Sequence, residues 1–230
     1  MKPYYQDDAV TIYHGDCREI LPHLPKVDLV LTDPPYGIGE SSRKNNSRGK
    51  LANPTDYGFY DWDSKPATEK QLEMTLGSGN QAIVWGGNYF HLPPSSGWLV
   101  WDKLNTGDFA DCELAWTNLP MAVRIFRHMW NGMLRQTERS IPRVHPTQKP
   151  VALMKWCLGF TPTAQTILDP FMGSGTTLRA AKDLGRQCIG IEIEEKYCEI
   201  AAKRMQQEVL PFEAPDSRRA EETASLFTTE

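Results

Sequence analysis

The stretch "QTILDPFMGSGTTLRAAKDLGRQCIGIEIEEKY", residues 165–197, decides the fold. It opens with a short run of apolar and β-branched residues, which reads as a buried strand. Gly173, Ser174 and Gly175 break that run. "TTLRAAKDLG" follows with helix-forming residues and Gly185 as a natural stop. "QCIGIEI" from 187 returns to strand composition. A further helix is expected in "EEKYCEIAAKRMQQEVL", whose apolar positions Tyr197, Ile200, Ala201 and Met205 fall on one face. Strand, helix, strand in so short a span is a βαβ unit, and its two strands must run parallel.

Outward from this unit, strand-like segments recur: "AVTIYHG" from 9, "VDLVLTD" from 27, "QAIVWGG" from 81, "GWLVWDK" from 97, "CELAWTN" from 112 and "MAVRIFRH" from 121. Several are apolar on both faces, as suits a parallel sheet covered by helices. "KPVALMKWCLGF" is one more clear helix. The expectation is an α/β fold, a mostly parallel twisted sheet flanked by helices. With 230 residues the chain is long enough for one such domain, placed at 1–210. Two generous stretches, about 37–66 and 104–145, are expected to be inserted loops. The polar, aperiodic segment 211–230 is expected to be a disordered tail.

Composition narrows the class. No apolar run is long enough for a membrane-spanning helix. The start, "MKPYYQDDAV", lacks the basic and apolar regions of a secretion signal. Five cysteines, Cys17, Cys112, Cys157, Cys188 and Cys198, are scattered without a C-x-x-C pair. That pattern argues against a disulfide framework or a zinc site, so no metal is expected and the setting is a reduced, cytoplasmic one. The net charge of −4 does not announce a nucleic-acid binder, but its distribution is uneven. "RKNNSRGK" at 43–50 carries Arg43, Lys44, Arg48 and Lys50 with no acid. Between Leu119 and Pro150, Arg124, Arg127, Arg135, Arg139, Arg143 and Lys149 face Glu138 alone. An acidic protein can still offer a basic face, because the local field is what a polyanion meets within a Debye length.

The glycine turn lies at the carboxyl end of a strand, where open α/β sheets bind their ligands. It is not a phosphate-binding loop of the Gly-x-x-x-x-Gly-Lys type, and Leu178 stands where a dinucleotide fingerprint needs its third glycine. Glu192, at the end of the next strand, is placed to accept the hydroxyls of a ribose. Together these suggest a nucleoside cofactor that carries no polyphosphate. A second stretch, "VDLVLTDPPYGIG" at 27–39, ends a buried strand in Asp33, fixes φ and removes two N–H donors at Pro34 and Pro35, and then presents Tyr36. A turn alone does not require that order.

"DPFMGSGTT" resembles the cofactor loop of S-adenosylmethionine-dependent DNA methyltransferases, and "DPPY" resembles the catalytic motif of those acting on exocyclic amines. "HPTQKPVALM" at 145–154 is similar to a third segment of that family, and "GDCREIL" and "YGFYDWD" to two others. The catalytic motif precedes the cofactor loop, which is the circularly permuted order of the family's β class. The resemblance runs from about residue 9 to residue 210. It implies a Rossmann-like methyltransferase fold and transfer of a methyl group from S-adenosylmethionine to the N6 amine of an adenine flipped out of double-stranded DNA. N4-cytosine methylation is the alternative. A silent nucleic-acid-binding module, or an RNA or protein-glutamine methyltransferase, ranks below both. Restriction–modification is the implied setting, and a second copy of the chain is a candidate partner.

What the motif could do follows from chemistry. An aromatic amine is a poor nucleophile because its lone pair is delocalised into the ring. Asp33 and the Pro34 carbonyl would hold its two N–H bonds, and Tyr36 would stack on the extruded base. The resemblance also implies a set of cofactor contacts. Asp16 lies by the adenine, Glu192 on the ribose and the backbone of Gly173, Ser174 and Gly175 by the methionine portion, with Cys17, Pro170, Phe171, Thr176 and Thr177 also in the cofactor set. Thr147 and Lys149 meet the methionine carboxylate, with Lys149 equally readable as a surface lysine at a helix start. Asp169 is expected to shape the loop, and His145 to be structural.

Overall fold

The computed structural model describes residues 1–37, 65–105, 110–131, 134–138, 144–145 and 147–207. The basic stretch 43–50, Arg139, Arg143 and the tail 211–230 lie outside the described residues.

The strands are β1 (Tyr5–Gln6), β2 (Val10–His14), β3 (Val27–Thr32), β4 (Gly79–Trp85), β5 (Trp98–Asp102), β6 (Cys112–Thr117), β7 (Arg124–Arg127), β8 (Trp130–Asn131), β9 (Leu134–Arg135), β10 (Thr166–Asp169) and β11 (Gln187–Glu192). The α-helices are α1 (Cys17–Ile20), α2 (Glu69–Gly77), α3 (Val151–Leu158), α4 (Thr176–Asp183) and α5 (Glu195–Met205). One sheet takes the order β1-β2-β11-β10-β3-β4-β6-β5-β7, and β8 and β9 form a separate ribbon. From β2 to β4 every pairing is parallel, whereas β6 runs antiparallel to both β4 and β5. This is a Rossmann-like sheet, mostly parallel, with the chain order permuted.

The alternation of each strand divides the core between two faces. Leu29, Leu31, Ile83 and Trp85 pack with Leu153 of α3, Leu178 of α4 and Ala201 of α5. Val30, Ala82, Val84, Leu168 and Ile191 pack with Cys17 and Ile20 of α1 on the other side. Burying side chains on both faces explains why these strands read as continuous apolar runs. Helix α4 ends as its sequence predicts. Gly185, at φ +68°, donates to Lys182 O, while Arg186 donates across the turn to Ala181 O.

The centre of the sheet fixes where a ligand can sit. From β3 the chain passes to β4 on one side, and from β10 it passes to β11 on the other. The carboxyl ends of β3 and β10 therefore flank a crevice at a topological switch point. Asp28 locks the two strands at their other end: its backbone N–H donates to Thr166 Oγ1, and its Oδ2 accepts from the Thr166 hydroxyl and from the N–H groups of Gln165 and Thr166.

Several expectations need correction. Among its described residues the stretch 104–145 is not simply a loop, because it supplies β6 and β7 to the sheet and β8 and β9 to the ribbon. β7 begins at Arg124 rather than at 121, and α5 ends at Met205. The sequence reading missed α2, which Thr68 and Gln71 open with a reciprocal capping box. Among the described residues no helix is long and apolar enough to cross a membrane.

Candidate active site

A cavity of about 220 Å³ opens at the crevice between β3 and β10. Asp16, Cys17, Thr147, Lys149, Asp169, Pro170, Phe171, Gly173, Ser174, Thr176, Thr177 and Glu192 line it, together with Asp33 and Pro35. The cofactor set expected from sequence thus converges on one space, with one exception. Gly175 points away from it: a Cβ there would lie 3.0 Å from Ala201 Cβ, so this glycine lets α5 approach α4.

The glycine-loop end is built from β10, α4 and β11. Asp169 is buried and accepts from the Thr32 hydroxyl at 2.7 Å and from Phe171 N–H at 3.1 Å, which fixes the turn after β10. Burial pushes its carboxyl up to about 6 despite those bonds. Glu192 accepts from Gly173 N–H and Glu194 N–H, both at 2.9 Å, so it clasps the loop to the start of α5. Burial raises its carboxyl to about 7. Asp16 caps α1 by accepting from Arg18 N–H and pairs with the Arg18 side chain. His145 leans its ring on Tyr197 at 4.4 Å and contacts the Thr147 hydroxyl through Nδ1. Gln71, Gln148, Met172 and Ile193 also line the space and were not singled out in the sequence.

The other end is built from the turn after β3. Pro34 is buried, and the carbonyl of Pro35 accepts from Ala67 N–H at 2.9 Å, tying the turn to the segment before α2. Tyr36 donates its hydroxyl to Asp33 Oδ1, and its ring stacks on Tyr89 at 4.9 Å between centroids. The ring also covers Gly86, where a Cβ would lie 2.0 Å from it and φ is +68°, so only glycine is accommodated.

Lys149 lines the same cavity beside Asp33. It is 5% exposed, which excludes the surface reading. Its Nζ binds Asp33 Oδ2 and lies 3.2 Å from Glu113 Oε2. Glu113, on β6, pairs in turn with Lys103. Burial opposes the charge of Glu113, yet Lys149 and Lys103 outweigh it and hold the carboxyl at about 2. Sequence reasoning missed Glu113, Lys103 and Tyr89. Of the expected basic contacts, Arg124 and Arg127 are exposed on the outermost strand β7, and Arg135 lies over the Trp130 ring on β9. They stand apart from the cavity. No cluster of metal ligands occurs among the described residues.

A family model described as DNA methylase matches residues 95–203, from just before β5 through most of α5. The type II methyltransferase M2.DpnII of Streptococcus pneumoniae is 28% identical over 254 residues, spanning 90% of this chain and 93% of that protein. The chain is thus similar to DNA methyltransferases along nearly its whole length. The type II methyltransferase M.HinfI of Haemophilus influenzae is also 28% identical, over 90% of this chain and 71% of its own length. Among solved structures, the M1.HpyAVI–SAM complex covers 86% of this chain and 100% of its own at a TM-score of 0.53 and 24% identity. The PvuII DNA methyltransferase, described as cytosine-N4-specific, covers 96% of this chain and 93% of its own at 0.55 and 16%. At that identity the two structures show a common fold.

Proposed function

We propose that the chain transfers a methyl group from S-adenosylmethionine to the exocyclic N6 amine of an adenine flipped out of double-stranded DNA. The observation that carries this reading is the meeting of two sequence-distant groups in one cavity: Asp33 and Pro35 of the turn after β3, and Gly173, Ser174, Thr176 and Thr177 of the loop with Glu192. When bound, the cofactor supplies an electrophilic methyl group. The residues present suit it. Glu192 is a half-buried carboxylate whose bonds come only partly from the loop it clasps, and each of its oxygens keeps a lone pair for a ribose hydroxyl. Cys17, Phe171 and Ile193 offer apolar walls beside Asp16, as a purine needs.

Asp33 lies at the same cavity, so its free lone pairs can accept an N–H of a target amine, and the rigid Pro34–Pro35 backbone holds a carbonyl for the other. Holding both N–H bonds draws the lone pair out of conjugation and toward the methyl carbon. The chemistry is one of positioning rather than of a strong base. Adenine is favoured over cytosine by Asp at the head of the motif. The exposed arginines of β7 supply phosphate contacts in this reading, and the basic residues of 43–50 supply others.

Incubation with isotopically labelled S-adenosylmethionine and double-stranded DNA, followed by nucleoside mass spectrometry, tests the proposal. N6-methyladenine is expected. N4-methylcytosine alone would overturn the base assignment, and no labelled nucleoside would overturn the function.

A further inference from the structure

Lys149 lines the cavity beside Asp33 and pairs with Glu113, and neither has yet been given a part in the reaction. The ammonium of Lys149 is shared: it binds Asp33 Oδ2, lies 3.3 Å from the Tyr36 hydroxyl and stands 3.2 Å from Glu113 Oε2. Glu113 is held from its far side by Lys103. A buried ammonium is costly unless opposite charges and hydrogen bonds offset its lost hydration. Here the offset comes from two acids on different strands, Asp33 at the end of β3 and Glu113 on β6. Glu113 therefore fixes where Lys149 stands, and Lys149 fixes how the Asp33 carboxylate is turned.

Resting on the proposed function, we propose that Glu113 is a positioning residue for methyl transfer, acting through Lys149 to orient Asp33 and to keep it basic by drawing part of the ammonium's charge away. In the transfer the amine nitrogen forms its bond to the methyl carbon as the carbon–sulfur bond breaks, with the electron pair leaving on sulfur. The nitrogen then sheds one proton to Asp33, which returns it to solvent when the product departs. An Asp33 fully neutralised by Lys149 would be a poor acceptor for that proton. The charged and titratable groups facing Asp33 are Lys149, Tyr36, Glu113 and, from β10, Asp169. Burial raises the Asp33 carboxyl, Lys149 pulls it down, and Glu113 pushes it up again.

Single-turnover methylation by the full-length chain, at saturating cofactor and DNA across a pH series, tests this. Glu113→Gln leaves Lys149 wholly to Asp33, so Asp33 ionises at lower pH and the acid limb moves down by up to about one pH unit. The plateau rate should fall at least about tenfold while cofactor affinity stays within about twofold of wild type. Glu113→Asp keeps the charge and should restore the limb. Lys103→Met, a more peripheral change, removes a positive charge and should move the limb upward. A rate loss with limbs unmoved in both Glu113→Gln and Lys103→Met would mark Glu113 as mere scaffolding and overturn the proposal. A wild-type chain that methylates no DNA overturns the function itself, and this inference with it.

Discussion

At the glycine-loop end of the cavity, Asp169 and Glu192 are held by hydroxyls and backbone amides; at the β3–β6 end, Asp33 and Glu113 are held by lysines. Burial is the largest influence on all four, yet the outcomes diverge. Neutral donors do not overcome it, and the carboxyls of Asp169 and Glu192 rise to about 6 and about 7. Two ammonium groups overcome it at Glu113, which falls to about 2. The contrast teaches that one end holds its carboxyls with neutral donors, which leaves them ready to take up a proton, while the other balances its charges internally. A ligand with hydroxyl donors and a positive centre suits the first end. The second is fitted to hold a carboxylate still.

The division is most exposed to Asp33→Ala. Single-turnover methylation should slow by a few hundredfold, on the order of 3 to 4 kcal/mol, because a group placed for the transition state is gone. Calorimetry should find cofactor affinity nearly intact. If affinity collapsed while the rate at saturating cofactor stood, the two ends would not be separable.

Glu192→Gln sharpens the other side. A carboxyl raised from 4.5 to about 7 in the folded chain favours folding at low pH and loses that contribution as pH rises through about 4.5 to 7. The glutamine cannot ionise, so the Tm of the variant should gain on that of wild type across this window. Parallel melting curves at the two ends of the window check it, and a constant difference would show that Glu192 is not held out of its ordinary range. The smallest effect is expected far from the cavity. Arg124→Ala with Arg127→Ala should flatten the salt dependence of DNA binding by up to about 0.9 log unit per lost phosphate contact, with the rate at saturating DNA unchanged. Arg127 already leans on Asp102 at 3.4 Å, so its share should be the lesser.

Much of this was legible in the chain because its signals are local. The βαβ unit at 165–192 announces itself through the Gly173–Gly175 break and the Gly185 stop, and α3 through its apolar stretch. α2 carries a readable Thr68-x-x-Gln71 box but buries only Leu72 and Thr75, so its apolar period is faint. β1 and α1 are too short to have a period. Glu113 was out of reach for a different reason. It lies in an ordinary strand, "CELAWTN", and meets Lys149 only because β6 returns antiparallel beside β4. A motif fixes the place of Lys149 in the chain, but its partners are a property of the folded sheet.

The seam between β3 and β10 has a consequence for how the chain comes to exist. The bond from Asp28 to Thr166 spans 138 residues, so during synthesis β3 and β4 emerge long before the strand that covers the other side of β3. Until β10 arrives, Val27–Thr32 presents an unpaired apolar edge, the kind of surface that recruits other strands. Pairings at such separation are slow to close, and intermediates that expose them are prone to aggregate. The permuted order places both halves of the cavity on one seam, and the seam is among the last parts of the sheet to be made.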